Sequence, residues 1–259
     1  MIPDDLSALL QSISTAFPAM LDGNLVGIYL WGSLTYHAFN ETCSDVDFVV
    51  VTERDLDGRE FSELDQWFTS QAKQNRWVAR IDMRFVIDYE FLNKASPCCG
   101  FYHYNGKLIR HASDGNPIIW INIAQSGITL WGKSAMLVAP PVSDQCLADA
   151  LVLELNYLRQ DLVSNAGNRS AKAFVHNAYA VLTACRILYS ARHRGLVSKD
   201  QAFLWAMETV PPVWRGVLQA ARDNRLKNAG STSPRSEEDA MRFVDFVADE
   251  LSVTGPKHS

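Results

Sequence analysis

Two short motifs near the start of the chain carry residue types that bind phosphate and divalent cations. Gly32-Ser33 follows an apolar run, and Asp45 and Asp47 come twelve and fourteen residues after Ser33. Carboxylates at positions i and i+2 of a strand point to the same face, about 6 to 7 Å apart. Mg²⁺ takes oxygen ligands and completes its shell with water and phosphate oxygens, so this pair predicts a magnesium site. Gly32 would allow close backbone approach, and Ser33 would offer a hydroxyl to a phosphate.

A third carboxylate, Asp82, lies in a segment whose alternation predicts a strand over residues 77–87. One face of this strand would be wholly apolar, and Asp82 would sit mid-strand on the other face, between Arg80 and Arg84. A charged group in that position is costly unless it has a partner or a function. Two interpretations remain open, an ion-pair ladder with the two arginines or a catalytic carboxylate.

The elements that must position these residues divide the chain into two parts. Short β-branched runs predict strands over Leu25–Trp31 and Val46–Thr52. Apolar residues at helical spacing predict two helices in the same part. They are Leu6, Leu9, Leu10, Ile13 and Phe17 in the first, and Phe61, Leu64, Phe68 and Ala72 in the second. From about residue 145 the pattern is helical throughout, with helices over 174–190, Lys199–Thr209 and 235–251. We therefore predict an α+β domain over residues 1–140 and an all-α domain over residues 141–259.

The segment between these parts, residues 96–143, gives fewer signals. Asn105-Gly106 predicts a tight hairpin turn. Residues 127–134, GITLWGKS, match the phosphate-loop pattern letter for letter. That loop needs an open run of backbone N–H groups before a long helix, whereas ITLW favours an edge strand and Pro140-Pro141 would stop a helix early. We predict an edge strand here.

Composition excludes several classes of protein. The chain has 259 residues, 47% of them hydrophobic, and a net charge of −5, which argues against a broad nucleic-acid surface. Five cysteines without repeated spacing do not indicate a disulfide framework. Cys98, Cys99, His103 and His111 could suggest zinc, but adjacent cysteines are not a usual ligand spacing. No signal peptide or membrane-spanning run is evident, so we expect a soluble cytoplasmic protein.

The combination of strand, Gly-Ser, Asp-x-Asp and a later strand carboxylate resembles the DNA-polymerase-β-like nucleotidyltransferase superfamily. In the second part, VLTACRILYS at 181–190, GLVSKD at 195–200 and WAME at 205–208 resemble the helical domain of the aminoglycoside 3''/9 adenylyltransferases. The resemblance implies a minimal nucleotidyltransferase domain with a mixed sheet, then a helical domain. It further implies a cleft between them that holds ATP and two Mg²⁺.

The resemblance also implies roles for individual residues. Asp45 and Asp47 become metal ligands, Gly32 and Ser33 nucleotide contacts, and Arg186 and Lys199 contacts of the nucleotide phosphates. Asp82 takes the place of a family carboxylate, usually glutamate, that accepts the proton of the substrate hydroxyl. It could instead be a third metal ligand, as in other branches of the superfamily. Without the resemblance, Arg186 would be an ordinary helix charge and Lys199 an exposed loop lysine.

The implied reaction transfers AMP from ATP to a hydroxyl of an aminoglycoside-type antibiotic and releases pyrophosphate. The expected partners are ATP and a small hydroxylated acceptor, an aminoglycoside or spectinomycin, with no nucleic acid, no membrane and a monomeric state. Residues 164–176 lack the tryptophan and acidic residues that the family often supplies to the drug, and Arg225 replaces a family tyrosine near the nucleotide. Two alternatives therefore remain, an adenylyltransferase acting on another acceptor and a non-catalytic nucleotide-binding module.

Overall fold

The computed structural model describes residues 2–88, 99–104, 106–112, 117–139, 141–167, 171–227 and 236–254. The chain forms two compact units. One contains Met1–Asn40 and Ser44–Pro141, and the other contains Glu41–Cys43 and Val142–Ser259. A mixed sheet with helices in the first unit and helices in the second confirm the predicted α+β class. None of the described helices has the length and apolar content that a membrane-crossing helix needs.

The first unit is built on a mixed sheet of six described strands. They are β1 (Leu25–Trp31), β2 (Val46–Thr52), β3 (Ile81–Ile87), β4 (Cys99–Tyr104), β5 (Lys107–Ala112) and β6 (Ile128–Gly132). Their spatial order is β5-β4-β3-β2-β1-β6. Strands β2 and β3 are parallel, and every other neighbouring pair is antiparallel. The predicted bounds of β1 and β2 are confirmed.

One face of this sheet is covered by α1 (Asp4–Met20) and α2 (Gly58–Gln71). Every third or fourth residue of these helices is buried, as their apolar spacing predicts. They pack with alternate residues of the central strands into one apolar cluster. This cluster includes Leu6, Leu9, Ile13, Phe17, Leu64, Phe68, Leu30, Phe48 and Met83. Because side chains alternate along a strand, the residues between these strand positions point to the opposite face.

The predicted strand over 77–87 is wrong in its first four residues. Residues Arg76–Arg80 form a 3₁₀ turn, and β3 begins at Ile81. The Asn75 side chain accepts the Trp77 N–H, and the Trp77 indole N–H donates to Asp5 at 2.8 Å. Trp77 and Val78 are both buried, which a turn allows but the alternation of a half-buried strand does not. Asp82 is therefore the second residue of its strand rather than a mid-strand residue.

The predicted hairpin and edge strand are confirmed. Strands β4 and β5 pair from Tyr104↔Lys107 outward, and Gly106 has a φ of +74°.

Residues 127–134, which match the phosphate-loop pattern, contain β6 at the edge of the sheet. Lys133 is exposed, and the helix that follows, α4 (Ala135–Val138), has only four residues. A Cβ on Gly132 would lie 2.4 Å from the Val26 carbonyl oxygen, so this glycine is required for strand packing.

Helix α3 (Pro117–Ser126) precedes β6 and was not predicted. Its sequence, PIIWINIAQS, is apolar almost without interruption and therefore lacks the spacing that identifies a surface helix. Ile119, Trp120, Asn122 and Ile123 are buried. This helix contacts β1, next to the Gly-Ser motif.

The second unit consists of five described helices. They are α5 (Asp144–Ser164), α6 (Ala171–His193), α7 (Lys199–Thr209), α8 (Arg215–Lys227) and α9 (Ser236–Thr254). Helix α6 is central and packs against the other four. A capping box between Ser198 and Gln201 starts α7 at Lys199, as predicted. The predicted 235–251 helix is present as α9, and the predicted 174–190 helix extends a few residues further at each end as α6.

Candidate active site

Two aspartates stand side by side on the sheet face that α1 and α2 leave free. In the parallel pairing of β2 and β3, Asp47 is in register with Asp82. Their neighbours Val46, Phe48, Ile81 and Met83 all lie in the apolar cluster, so both aspartates point to the other face. Neighbouring strands are about 4.8 Å apart, which brings the two backbones within reach of one ligand. The structure therefore brings together two carboxylates that lie 35 residues apart in the sequence.

The Gly-Ser motif forms a tight turn directly beside Asp47. Strand β1 ends at Trp31, which is in register with Asp47, and Gly32 opens a 3₁₀ turn with a φ of +73°. A Cβ on Gly32 would lie 2.2 Å from Asp47 Oδ2, so only glycine fits. The sequence predicted that this glycine allows close approach of a phosphate. The structure adds a second reason for glycine, because the side chain of Asp47, a candidate metal ligand, occupies the space that a Cβ would need.

Two polar atoms at this end of β1 are buried without a hydrogen-bond partner among the described residues, Ser33 Oγ and Trp31 Nε1. Buried polar groups are normally paired with protein atoms, water or a ligand. Ser33 Oγ can donate to a phosphate oxygen. Its position in the turn beside Asp47 fits the predicted phosphate contact.

Asp45 differs from its predicted placement. Strand β2 begins at Val46, so Asp45 immediately precedes the strand and is exposed, whereas Asp47 is partly buried. Within the described residues, no three His, Cys, Asp or Glu side chains converge closely enough to hold a metal ion by themselves. Asp45 and Asp47 are hard oxygen donors of the kind that Mg²⁺ prefers, and phosphate oxygens would have to complete its shell. The residues present fit a metal that binds together with a nucleotide.

The surroundings of Asp82 confirm only part of the predicted ion-pair ladder. Arg84 Nε lies 3.9 Å from Asp82 Oδ1, and both side chains are mostly buried. Arg80 belongs to the preceding turn, where it donates to the Ser44 carbonyl oxygen and stacks on Trp77 with 4.9 Å between guanidinium carbon and ring centre. Arg84 therefore places positive charge beside Asp82, which favours its ionised form.

In the second unit, both residues assigned to nucleotide phosphates lie near one tyrosine. Lys199 Nζ is 4.0 Å from the ring centre of Tyr179. Tyr179 is 40% exposed, and the charges of Glu154 and Arg186 act on its hydroxyl in opposite directions. Arg186 Nε is buried without a hydrogen-bond partner among the described residues. Sequence reasoning missed Tyr179, because only the packing of α6 against α7 brings it to Lys199.

Arg225, which the resemblance places at the position of a family tyrosine, lies in the same unit. Its Nη1 is 3.7 Å from Asp200 Oδ1, and its side chain is 18% exposed. Asp200 follows Lys199 in α7, so Arg225 is linked by an ion pair to the helix start that carries the predicted phosphate contact.

No zinc site was predicted from the cysteines and histidines near residue 100. His103 is buried and stacks on Phe68 with 3.9 Å between ring centres, as a core residue does.

The mixed sheet and its pair of strand carboxylates define a protein with a nucleotidyltransferase fold. Residues 137–250 match the family model described as the aminoglycoside adenylyltransferase C-terminal domain. The chain is 22% identical to the spectinomycin 9-adenylyltransferase of Campylobacter jejuni over 93% of each protein. It also superposes with a TM-score of 0.70 on a spectinomycin adenyltransferase from Enterococcus faecialis, solved with ATP and spectinomycin. That match covers 95% of this chain and 99% of the other at 16% identity.

The chain is therefore similar to aminoglycoside adenylyltransferases, to their C-terminal domain over residues 137–250 and to two spectinomycin adenylyltransferases over most of its length.

Proposed function

We propose that this protein transfers AMP from ATP to a hydroxyl group of an aminoglycoside-type antibiotic and releases pyrophosphate. The observation that carries the proposal is the register of Asp47 with Asp82 beside the Gly32 turn. That arrangement provides a candidate metal carboxylate, a second carboxylate and a phosphate-binding hydroxyl at one end of three adjacent elements. The similarity to spectinomycin adenylyltransferases, one of them solved with ATP and spectinomycin, suggests the nucleotide and the class of acceptor.

Asp45 and Asp47 would hold Mg²⁺ together with the phosphates of ATP. When bound, the metal would stabilise charge on the attacking and departing oxygens of an in-line displacement. Ser33 would donate its buried hydroxyl to a phosphate oxygen, which resolves the unpartnered Ser33 Oγ. Gly32 leaves room for the Asp47 carboxylate beside this contact because it carries no side chain.

Asp82 is proposed as the general base that accepts the proton of the acceptor hydroxyl. A carboxylate is a weak base towards an alcohol, so positioning must contribute much of the acceleration. The Arg84 guanidinium, 3.9 Å from Asp82 Oδ1, stabilises the negative charge of Asp82 and so makes it a still weaker base, which increases the contribution that positioning must supply. The alternative role is that of a third metal ligand beside Asp47, with which Asp82 is in register, and replacement of Asp82 by asparagine distinguishes the two roles.

Arg186 and Lys199 are proposed to bind the phosphates of ATP, as the resemblance implies. Two features support this assignment. The two cations lie around the same tyrosine, and Arg186 has a buried N–H that needs an acceptor. A phosphate oxygen is the acceptor that a guanidinium binds best.

Spectinomycin is the acceptor we propose to test first. Both similar proteins named above are spectinomycin adenylyltransferases. Residues 164–176 contain no carboxylate and no tryptophan, which argues against binding of a strongly polycationic drug in that segment.

The experiment incubates the purified protein with ATP, Mg²⁺ and a single acceptor, and follows pyrophosphate release and the acceptor mass. The acceptors are spectinomycin, streptomycin and inositol, with an acceptor-free control. We expect spectinomycin to gain one adenylyl group. Transfer of the adenylyl group to inositol alone would show that the enzyme acts on an acceptor other than an aminoglycoside-type antibiotic. ATP binding without transfer to any of the three would instead favour a non-catalytic nucleotide-binding module.

A further inference from the structure

The Gly32-Ser33 turn is held in place by a buried asparagine from a distant part of the chain. The Gly32 N–H donates to Asn122 Oδ1 at 3.1 Å, although the two residues are 90 positions apart. Asn122 is fully buried in α3. A buried backbone N–H in a turn has no ladder partner, so this side chain supplies the acceptor that the fold requires.

The same asparagine reaches the other end of the turn. Its Nδ2 donates to the Tyr36 hydroxyl, while its Oδ1 accepts from Gly32. One rigid amide group therefore joins the first residue of the turn to a residue four positions later. The next residue, His37, has a φ of +55°, which L-residues adopt only where surrounding contacts impose it.

A second hydrogen-bonded chain supports the turn from the same helix. Thr35 Oγ1 donates to the Gly32 carbonyl oxygen at 2.9 Å. Ser126 Oγ lies 3.1 Å from Thr35 Oγ1 and donates to the Asn122 carbonyl oxygen at 3.3 Å, so it links the threonine to the helix that carries Asn122. Ser126 lies one helical turn after Asn122, so both supports come from one face of α3.

This turn fixes more than its own backbone. Gly32 lies against the Asp47 carboxylate, with no space for a side chain between them. A small rotation of the turn would therefore move Ser33 relative to Asp47. Such displacements of about 1 Å can cost about 100-fold in rate when they misplace reacting groups.

We propose that Asn122 and Thr35 are positioning residues that hold the Gly32-Ser33 turn in its phosphate-binding geometry. The inference rests on the proposed function, because it assigns the turn to ATP. Neither residue needs to touch the substrate. Each acts through the Gly32 peptide, Asn122 on its N–H and Thr35 on its carbonyl oxygen.

The test uses two variants of the support and two matched controls. Asn122→Ala removes the acceptor of Gly32, and Asn24→Ala is its control. Asn24 is 1% exposed and its Oδ1 accepts the Arg54 N–H at 3.0 Å, but it precedes the opposite end of β1. Thr35→Val removes the hydroxyl at nearly constant volume, and Thr35→Ser keeps it.

Three quantities are measured for each variant that remains folded. They are the hydrogen exchange rate of the Gly32 amide without ligand, the affinity for ATP with Mg²⁺, and kcat and KM for ATP. We expect Asn122→Ala to expose the Gly32 amide and raise KM by about tenfold, with a smaller change in kcat. Thr35→Val should raise KM by about threefold, and Thr35→Ser and Asn24→Ala should stay near the wild type.

Equal KM values for Asn122→Ala and Asn24→Ala would overturn the proposal, as would equal effects of Thr35→Val and Thr35→Ser. If Asn122→Ala does not fold, the two threonine variants decide the matter alone. ATP binding by the wild type shows whether the proposed function or only the positioning role has failed. Without ATP binding by the wild type, the proposed function fails and the inference with it. With ATP bound by the wild type and equally by Asn122→Ala and Thr35→Val, only the positioning role fails.

Discussion

The Asp47 carboxylate occupies the space that a side chain on Gly32 would need. A Cβ at Gly32 would lie 2.2 Å from Asp47 Oδ2 and 2.9 Å from its carboxyl carbon. Gly32 also has a φ of +73°, which disfavours any residue with a Cβ. The Gly32-Ser33 turn and Asp47, the candidate metal ligand, are therefore packed together, and we expect a substitution in one to alter the geometry of the other.

Replacing Gly32 by alanine should damage both stability and nucleotide binding. Gly23→Ala is a matched control, because Gly23 has a φ of +70° but nothing within 4 Å of an added Cβ. We expect Gly23→Ala to cost about 1 kcal/mol in the free energy of unfolding, from backbone strain alone. Gly32→Ala should cost about 1 to 3 kcal/mol more, because it adds overpacking against Asp47. Urea unfolding and ATP calorimetry measure the two effects, and equal losses in both variants would contradict the packing argument.

Asp47→Asn should separate metal binding from folding. The amide has the same shape, but it lacks the charge that Mg²⁺ binds. We expect wild-type ATP affinity to rise when Mg²⁺ is added, and the variant to bind ATP equally with and without the metal. Titration calorimetry at matched ionic strength checks this. Metal-independent ATP affinity in the wild type would count against Asp45 and Asp47 as metal ligands.

Asp82→Asn distinguishes the two roles of this carboxylate. A general base must accept a proton, so the variant should keep its Mg²⁺-dependent ATP affinity and lose about 10²- to 10⁴-fold in turnover. If Asp82 is instead a metal ligand, the variant should lose affinity for the nucleotide or the metal in addition to turnover. Asp82→Glu, which restores the residue common in the family, should retain substantial activity. Turnover of Asp82→Asn at the wild-type rate would leave the ion pair with Arg84 as the only role.

Two lysines offer a comparison between the rejected and the proposed phosphate contacts. Lys133 lies in the segment 127–134 that matches the phosphate-loop pattern and is exposed after β6, whereas Lys199 begins α7 beside Tyr179. Lys199→Ala should weaken ATP binding by about 1.5 to 3 kcal/mol, as expected for a hydrogen bond to a charged group. Lys133→Ala should leave the affinity unchanged. The reverse ranking would return residues 127–134 to consideration as a phosphate site.

Burial of His103 should make the stability of the first unit depend on pH. Burial lowers the pKa of His103 from 6.5 to about 4. As pH falls below 6.5, His103 is protonated in the unfolded chain but stays neutral in the folded chain. The free energy of unfolding therefore decreases between about pH 6.5 and 4. The loss from this group should approach about 1.4 kcal/mol per pH unit within that window.

The control for this prediction is His103→Phe, which preserves the stacking on Phe68 but has no proton to bind. Its unfolding free energy should fall less steeply with decreasing pH than that of the wild type. Parallel pH profiles for the wild type and His103→Phe would rule out His103 as the source.

Elements with strong local patterns could be predicted from the sequence. The bounds of β1 and β2 follow from β-branched runs that end at Gly32 and begin after Asp45, and the start of α7 follows from its capping residues. The apolar face of α1 was likewise visible in its spacing. Alternation failed for residues 77–80, because hydrogen bonds from Trp77 to Asn75 and Asp5 pull them into a turn.

The sequence by itself determined the residue types of the site, namely the Gly-Ser motif, the Asp-x-Asp pair and a later strand carboxylate. It also determined the class of fold, because period-2 and helical patterns are local properties of the chain. Only the tertiary structure decided that Asp82 is in register with Asp47, that Asp47 excludes a side chain at Gly32, and that Asn122 holds the turn. Strand register and a hydrogen bond across 90 residues depend on how distant elements pack, and no spacing along the chain encodes that geometry.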